Sequence, residues 1–326
     1  MFRYIACIIS MITLLASTNI SAQTCSCAGA PLISSQNFTT VSEGNLVAGL
    51  TWEYNNISKL YNGSNKLENL TQERSTKTAL LELNYGISNR FSLTSTFTFI
   101  EKRRTTGLQI QNTSNTVTTS GLGDGLVMAK YHLINQDLWN PYQVSIGMGT
   151  KIPFATTSLK ANNLSLNADM QPGTGAWDGI AWLFASRVLR YINMNVYFNS
   201  SFRYSGTSER FNSTDKYRFG NEFVSLAGVT GAMFDRLSFD IQMKFRKTNK
   251  DQRNKFKLPN TGGEWLNIKS GIVYQIHEQI NIQLRGEAPI YQHLDGTQPT
   301  TTFIVSGSVF FSLKKAQKGF TYGTPD

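Results

Sequence analysis

Leu237-Ser-Phe-Asp-Ile-Gln-Met-Lys-Phe-Arg246 alternates apolar and polar side chains without interruption. Successive side chains of a β-strand point to opposite faces, so this stretch predicts a strand with one dry face and one wet face. The dry face packs on a second sheet in a soluble β-sandwich and faces lipid in a membrane barrel. This strand alone therefore leaves both folds open.

The rest of the chain decides between the two folds, because about twelve such segments recur between Leu46 and Leu313. Their connections alternate in length. Short connections are predicted near residues 86–90, 135–140, 189–191, 235–236 and 277–279, and long polar ones near 55–76, 103–120, 153–176, 205–216, 247–263 and 291–301. Tight turns at one end and long loops at the other are typical of transmembrane barrels. We therefore predict an all-β fold, an antiparallel up-and-down β-barrel of about twelve strands, with long extracellular loops, short periplasmic turns and periplasmic termini.

Aromatic residues fall into two groups that match the two interfaces of a membrane. One group lies near the short turns: Tyr85, Phe91, Trp139, Tyr142, Tyr191, Phe234 and Tyr274. The other lies near the long loops: Trp52, Tyr54, Phe99, Phe154, Trp177, Phe202, Tyr204, Phe245 and Trp265. Ordinary core packing in a β-sandwich would not predict both bands, so they favour the barrel.

The N-terminus resembles a secretory signal peptide. Arg3 supplies the positive charge, residues 5–16 are apolar, and Ser21-Ala22-Gln23 offers small residues for cleavage. We expect residues 1–23 to be removed; the alternative is a retained anchor helix, for which the apolar stretch is short. Residues 24–45 would form a periplasmic segment or a plug, 46–313 the barrel, and 314–326 a periplasmic tail. Export and the barrel together predict the outer membrane of a Gram-negative bacterium.

The formal net charge is +10, and the basic residues are scattered rather than clustered. Scattered charge and export argue against a nucleic-acid partner and favour a cationic vestibule or contact with anionic surface lipids. Cys7 would leave with the signal peptide, so the mature chain would keep Cys25 and Cys27. This pair predicts either a site for a soft metal or two thiols, or a disulfide, in an exported tail.

The polar faces of the predicted strands point into the barrel. Their lumen-lining candidates are Glu53, Glu82, Lys130, His132, Lys151, Arg203, Asp240, Lys244, Arg246, Lys269, Arg285 and Glu287. Buried charges need hydration or a partner. Two interpretations stay open: a polar path whose basic excess favours anions or electron-rich solutes, or a network of ion pairs that nearly closes the barrel. The inward faces of the segments near 180–188 and 222–229 are not assigned, because both of their faces are partly apolar.

Catalysis is not expected, since a barrel hydrolase needs a base beside a nucleophile or an activated water at the outer rim. The three histidines, His132, His277 and His293, accompany no nucleophile motif. We predict no cofactor, and expect membrane lipid and a small-molecule solute as partners. The leading function is passage of small molecules through the lumen; the alternative is a closed structural or adhesive barrel whose outer loops bind partners.

Two glycine-rich segments resemble those of a known family. They are Gly121-Leu-Gly-Asp-Gly-Leu-Val-Met-Ala-Lys-Tyr-His-Leu133 and Pro172-Gly-Thr-Gly-Ala-Trp-Asp-Gly179. Together they are similar to motifs of the outer-membrane transporter-like family named after the MetA pathway of phenol degradation. The resemblance implies an outer-membrane channel for small aromatic or other hydrophobic compounds. From the residues themselves, Gly121, Gly123 and Gly125 predict a bulge or bend at the outer rim, and Asp124 a hydrogen-bond acceptor there.

Overall fold

The computed structural model describes residues 41–68, 72–107 and 114–313. Within them the chain forms a closed antiparallel barrel of twelve strands, which confirms the predicted fold. The strands are β1 Leu46–Ile57, β2 Gln72–Ser88, β3 Phe91–Thr106, β4 in two parts (Asn115–Leu122 and Gly125–Ile134), β5 Tyr142–Ile152, β6 Asp178–Leu189, β7 Met194–Tyr204, β8 Glu222–Phe234, β9 Leu237–Thr248, β10 Gly263–His277, β11 Ile280–Thr300 and β12 Phe303–Leu313. The predicted signal peptide, Cys25, Cys27 and the C-terminal tail lie outside the described residues.

Each strand pairs with the next along the chain, and β12 closes the barrel against β1, from Leu46 opposite Leu313 to Asn56 opposite Phe303. Up-and-down order leaves no sheet edge unpaired, as a lipid-exposed sheet requires. Both described ends of the barrel, Leu46 and Leu313, lie at the end that carries the short turns, because Leu46 also pairs with Tyr85. No helix in the described residues is long and apolar enough to cross a membrane.

The faces of β9 show that the barrel is apolar outside and polar inside. Asp240 and Lys244 are 1% and 4% exposed, whereas Ile241 and Met243, which lie between them in the sequence, are each 49% exposed. A soluble domain buries the apolar face instead. The inversion therefore identifies the outer surface as the one that meets lipid.

The structure also assigns the two strands whose faces the sequence left open. The even-numbered residues of both strands are buried inside the barrel. They are residues 178, 180, 182, 184 and 186 on β6, and residues 222, 224, 226 and 228 on β8. Trp182, Phe184, Val224 and Leu226 therefore face the interior. The lumen thus has apolar side chains along β6 and β8, whose long-loop ends carry the buried acids Asp178 and Glu222.

Two predicted loops are wrong. Residues 291–300 continue β11, where the lower part pairs with β10 and the upper part with a short strand, Lys59–Gly63, from the first long loop. Residues 103–106 and 115–120 likewise extend the hairpin of β3 and β4. The sequence predicted loops here because these stretches are polar. They also contain several threonines, whose β-branched side chains suit a strand that continues beyond the membrane into water.

One member of the predicted outer aromatic band is also misplaced. Trp265 is 4% exposed, and its indole Nε1 donates to Thr300 Oγ1 inside the barrel at 3.2 Å. Its position has the same parity as the inward Asn267 and Lys269, which decides the direction of its side chain. The predicted band near the short turns is exposed in full, with Tyr191 and Trp139 the most exposed of its rings.

The long loops form structure of their own. Two of them, between β7 and β8 and between β9 and β10, combine into a small four-stranded sheet, which we call the outer cap: Thr207–Phe211, Asp215–Arg218, Gln252–Arg253 and Phe256–Lys257. Phe211 and Tyr217 of the outer cap pack with Phe219, with ring centroids 4.7 to 5.8 Å apart. Ala168 also packs against these rings, so the outer cap contacts the connection between β5 and β6.

Candidate functional site in the barrel interior

Eleven of the twelve residues predicted to line the lumen have exposures of 9% or less, on the side opposite the lipid-facing residues. The exception is Arg246, whose side chain is 18% exposed. Their neighbours are equally covered: Ser145 and Asn199 are fully buried. The inner wall is therefore closely packed, and these charges must find partners within it.

One set of partners is a chain of alternating charges across six strands near the mouth. Asp124, at the break in β4, and Asp178 on β6 lie 3.3 and 2.8 Å from Lys151 Nζ on β5. Arg203 on β7 lies 3.8 Å from Asp178 and 3.7 Å from Glu222 on β8. Glu222 in turn lies 2.6 Å from Arg246 on β9. We call these six residues the mouth belt.

A second set lies deeper, on β9, β10 and β11. Glu287 accepts from Lys244 Nζ at 2.7 Å and lies 3.8 Å from Lys269 Nζ. Asp240 pairs with Arg285 and accepts from Tyr197 Oη at 2.7 Å. Gln242 also donates to Asp240 and Asn267 to Glu287, so each carboxylate has three polar partners, which offsets the cost of burying it.

Residues 166–176, from the long connection between β5 and β6, fold into the barrel mouth. Met170, Gln171 and Thr174 in this inward segment are 2% exposed or less. Lys102 on β3 donates to two of its carbonyl oxygens, those of Asp169 at 2.9 Å and Gln171 at 2.7 Å. A lysine has three donors and no acceptor, so it suits this bridging role. The inward segment is therefore fixed inside the barrel mouth.

The two glycine-rich motifs of the sequence meet at this point. Asp124, from the first motif, accepts from Thr174 N at 2.9 Å and Thr174 Oγ1 at 2.7 Å, in the second. Lys151 joins Asp124 and also donates to Thr174. Gly175 has φ +67°, a conformation that favours glycine. The predicted bulge is confirmed as well, because β4 is broken at Gly123-Asp124, where it opposes β3.

Between the inward segment and the outer cap lies a cavity of about 540 Å³. Its charged lining residues are mostly paired: Arg74 donates to Asp169 at 2.5 Å, and Arg253 donates to Asp215 at 2.6 Å. Asp251, also at the wall, accepts from Gly220 N at 2.8 Å and Tyr217 Oη at 2.7 Å. Burial raises the pKa of Asp251 to about 6, although these two hydrogen bonds oppose the shift.

We expect the outer cap to become more stable as the pH falls from 7 to 5. The native pKa of Asp251 lies above its usual 3.8, so the folded cap binds a proton more tightly than the unfolded one. Stability is gained as pH falls through about 6 and is complete below the usual pKa of an aspartate. Protection factors for amide exchange of residues 207–219 and 251–258, which remove the intrinsic pH dependence of exchange, should rise at low pH in the native protein. The change should be absent in Asp251→Asn; an equal change in both proteins would contradict the assignment.

Sequence reasoning missed several residues of this site. Asp178 and Glu222 begin strands whose inward faces the alternation pattern did not reveal, and Lys102 lies directly before the loop predicted at 103–120. The inward position of Lys102 follows from parity, since Thr98 and Ile100 on the same strand are also buried. Continuing the alternation of β3 from Thr98 and Ile100 would have placed Lys102 on the inward face. In the described part of the chain, no cluster of three His, Cys, Asp or Glu side chains could hold a metal ion.

No protein-family model and no curated protein sequence matches this chain. Among solved structures, an outer membrane channel from Pseudomonas putida F1 is similar with a TM-score of 0.69 at 11% identity, over 86% of this chain and 100% of that one. A FadL homologue from Pseudomonas aeruginosa gives a TM-score of 0.44 at 10% identity, over 82% of this chain and 90% of that one. The first likeness shows that this chain has the fold of an outer-membrane β-barrel.

Proposed function

We propose that this protein is an outer-membrane channel that passes small molecules through its lumen, and that the inward segment gates it. The predicted signal peptide supports export, and the shared fold with the Pseudomonas putida channel supports the same broad activity. The two glycine-rich motifs, which resemble the phenol-pathway family, contact each other at the gate. Membrane lipid would cover the outer surface, and the lumen-lining candidates would form the path.

The observation that carries this proposal is the charged inner wall. Charged side chains occur inside the barrel from the mouth belt down to Asp240 and Lys130, and a barrel built only for stability gains little from them, since well-packed apolar residues are as stabilising. A polar wall is the general feature of barrels that conduct. Water that enters the mouth can hydrate the long charged side chains of the wall. The inward segment is instead held by hydrogen bonds to its backbone.

Conductance in planar bilayers is the direct test. Because the inner wall is closely packed and the inward segment lies in the mouth, we expect the purified protein to show discrete but infrequent openings. Their amplitude should vary with the size of the permeating ion, as it does for a narrow pore. The mouth belt and the deeper ion pairs on β9, β10 and β11 both contain positive and negative charges. Selectivity between small cations and anions should therefore be modest.

The control is the detergent buffer without protein, added in the same volume, which should produce no steps. Absence of discrete steps, together with no uptake of small solutes into liposomes, would contradict the proposal. That result would favour the closed structural or adhesive barrel, whose outer cap and loops would then carry the function.

A further inference from the structure

A buried lysine in the lower lumen has no carboxylate partner. Lys130 on β4 is 4% exposed, and its Nζ lies over the Trp182 ring, 5.0 Å from the centroid. Within the described residues no carboxylate forms an ion pair with it, in contrast to Lys151, Lys244 and Lys269. A buried ammonium without an ion-paired carboxylate is costly, which points to an anion bound beside it.

Strand register explains why the ammonium and the indole meet. Lys130 and Trp182 are both opposite Gly147, on the strand between them. A Cβ at Gly147 would lie 3.0 Å from the Trp182 ring and 3.3 Å from the sulfur of Met128. The missing side chain therefore lets Trp182 lie across β5 and reach Lys130.

The rings continue along the wall. Trp182 and Phe184 stack with centroids 6.1 Å apart and planes inclined by 3°, and Phe184 lies 6.5 Å from Tyr197. These three rings belong to one buried cluster with Met128. The wall thus offers flat apolar surface directly beside the ammonium.

Hydrogen-bonding groups beside this cluster also lack partners. Asn199, opposite Phe184 in the register, is fully buried, and neither its amide oxygen nor its amide nitrogen is hydrogen-bonded within the described structure. Gln143 Nε2 and the hydroxyls of Ser186 and Ser201 are buried without partners in the same region. Unsatisfied buried polar atoms are rare and commonly mark a bound ligand or ordered water.

We propose that this cluster is a solute-binding site for aromatic carboxylates: the ring would lie against Trp182 and Phe184, and the carboxylate would accept from Lys130 with nearby amide and hydroxyl donors. We call Lys130, Trp182, Phe184 and Asn199 the ring-and-ammonium site. The proposal deepens the channel function and rests on it, because the solute would reach the site through the mouth. A sodium or potassium ion would be repelled by Lys130 and gain nothing from the amide nitrogens.

Glu82 is a carboxylate close to Lys130 that would oppose binding of an anion, and this effect provides an independent test. It is the carboxylate whose charge acts on Lys130, although the two groups make no ion pair. One of its oxygens accepts from Asn84 at 2.6 Å and the other, Oε2, is buried without a hydrogen bond. The negative charge of Glu82 would repel a bound anion. The Glu82→Gln variant, which has a neutral amide there, should therefore bind the anion more tightly than the native protein does.

The test is calorimetric titration of the full chain in detergent with benzoate, benzyl alcohol and acetate. We expect benzoate to bind, and both benzyl alcohol, which lacks the charge, and acetate, which lacks the ring, to bind at least about tenfold more weakly. Lys130→Met should weaken benzoate about tenfold or more, Lys130→Arg should retain it, and Glu82→Gln should strengthen it. Trp182→Phe should remove the benzoate-induced change in tryptophan fluorescence, which would place the ligand beside this ring.

Equal binding of benzoate and benzyl alcohol, or equal benzoate binding by the native protein and a folded Lys130→Met, would overturn the proposal. The folded state of each variant is read from the heat-dependent shift of its mobility on a gel. Conductance without benzoate binding would reject the site and keep the channel. Binding without conductance would keep the site and reject the channel.

Discussion

Asp124→Ala is expected to raise the open probability of the channel several-fold. Asp124 accepts from Thr174 N and Thr174 Oγ1 in the inward segment and from Ala155 N earlier in the same connection, and its Oδ2 also pairs with Lys151. Hydrogen bonds to a charged group contribute about 1.5 to 3 kcal/mol each, so their loss should release the segment from the mouth. Single-channel recording of the variant and the native protein under the same voltage measures the effect.

Asp215→Ala is the matched control for this change. It also removes a carboxylate on the long-loop side, but Asp215 pairs with Arg253 within the outer cap and makes no hydrogen bond to residues 166–176 in the described structure. Its gating should therefore resemble that of the native protein. If both variants open equally, the inward segment is not the gate; if neither opens more, Asp124 does not hold it.

Glu287→Ala is expected to lower the free energy of unfolding by about 3 to 5 kcal/mol, the usual cost of leaving a buried charge unpaired. The change removes the acceptor of Lys244 at 2.7 Å and the nearby partner of Lys269, both at most 4% exposed. Because the two ammonium groups lie inside the barrel, neither can turn to bulk water without disturbing the packed wall. Urea unfolding in detergent micelles, followed by tryptophan fluorescence, measures the loss.

Glu101→Ala provides the comparison for Glu287. Its carboxylate lies 2.7 Å from Lys77 Nζ, the same separation as the buried pair, but the two side chains are 37% and 48% exposed. Exposed ion pairs contribute at most about 1 kcal/mol, so this variant should unfold almost as the native protein does. Equal losses in the two variants would show that burial does not govern the stability of these pairs.

The strand directions and most inward residues could be predicted from the sequence. On β9, Asp240 and Lys244 were assigned to the lumen by parity alone, and they lie there because side chains of an extended chain alternate by covalent geometry. The same rule could not assign β6 and β8, where Trp182 and Leu226 are apolar but face inward. Local polarity carries no information when both faces of a strand are apolar.

Loop structure was less predictable, for a different reason. Residues 291–300 are polar, and only their pairing with Lys59–Gly63 and β10 makes them a strand. Those partners are distant in sequence, so their hydrogen bonds leave no local pattern. The inward segment is a second example: Gly173 and Gly175 are local turn signals, but the burial of the segment depends on Lys102 and Asp124, which are distant in sequence.

The sequence by itself determined the barrel, its polarity and the direction of its ends, because period-two alternation and the length of each connection are local properties of the chain. Only the tertiary structure decided which charges pair, which loop enters the mouth and which lysine stays without a carboxylate. Those outcomes depend on the register between strands. Lys130 meets Trp182 rather than an anion because both lie opposite the same glycine, Gly147, and no single strand contains that information.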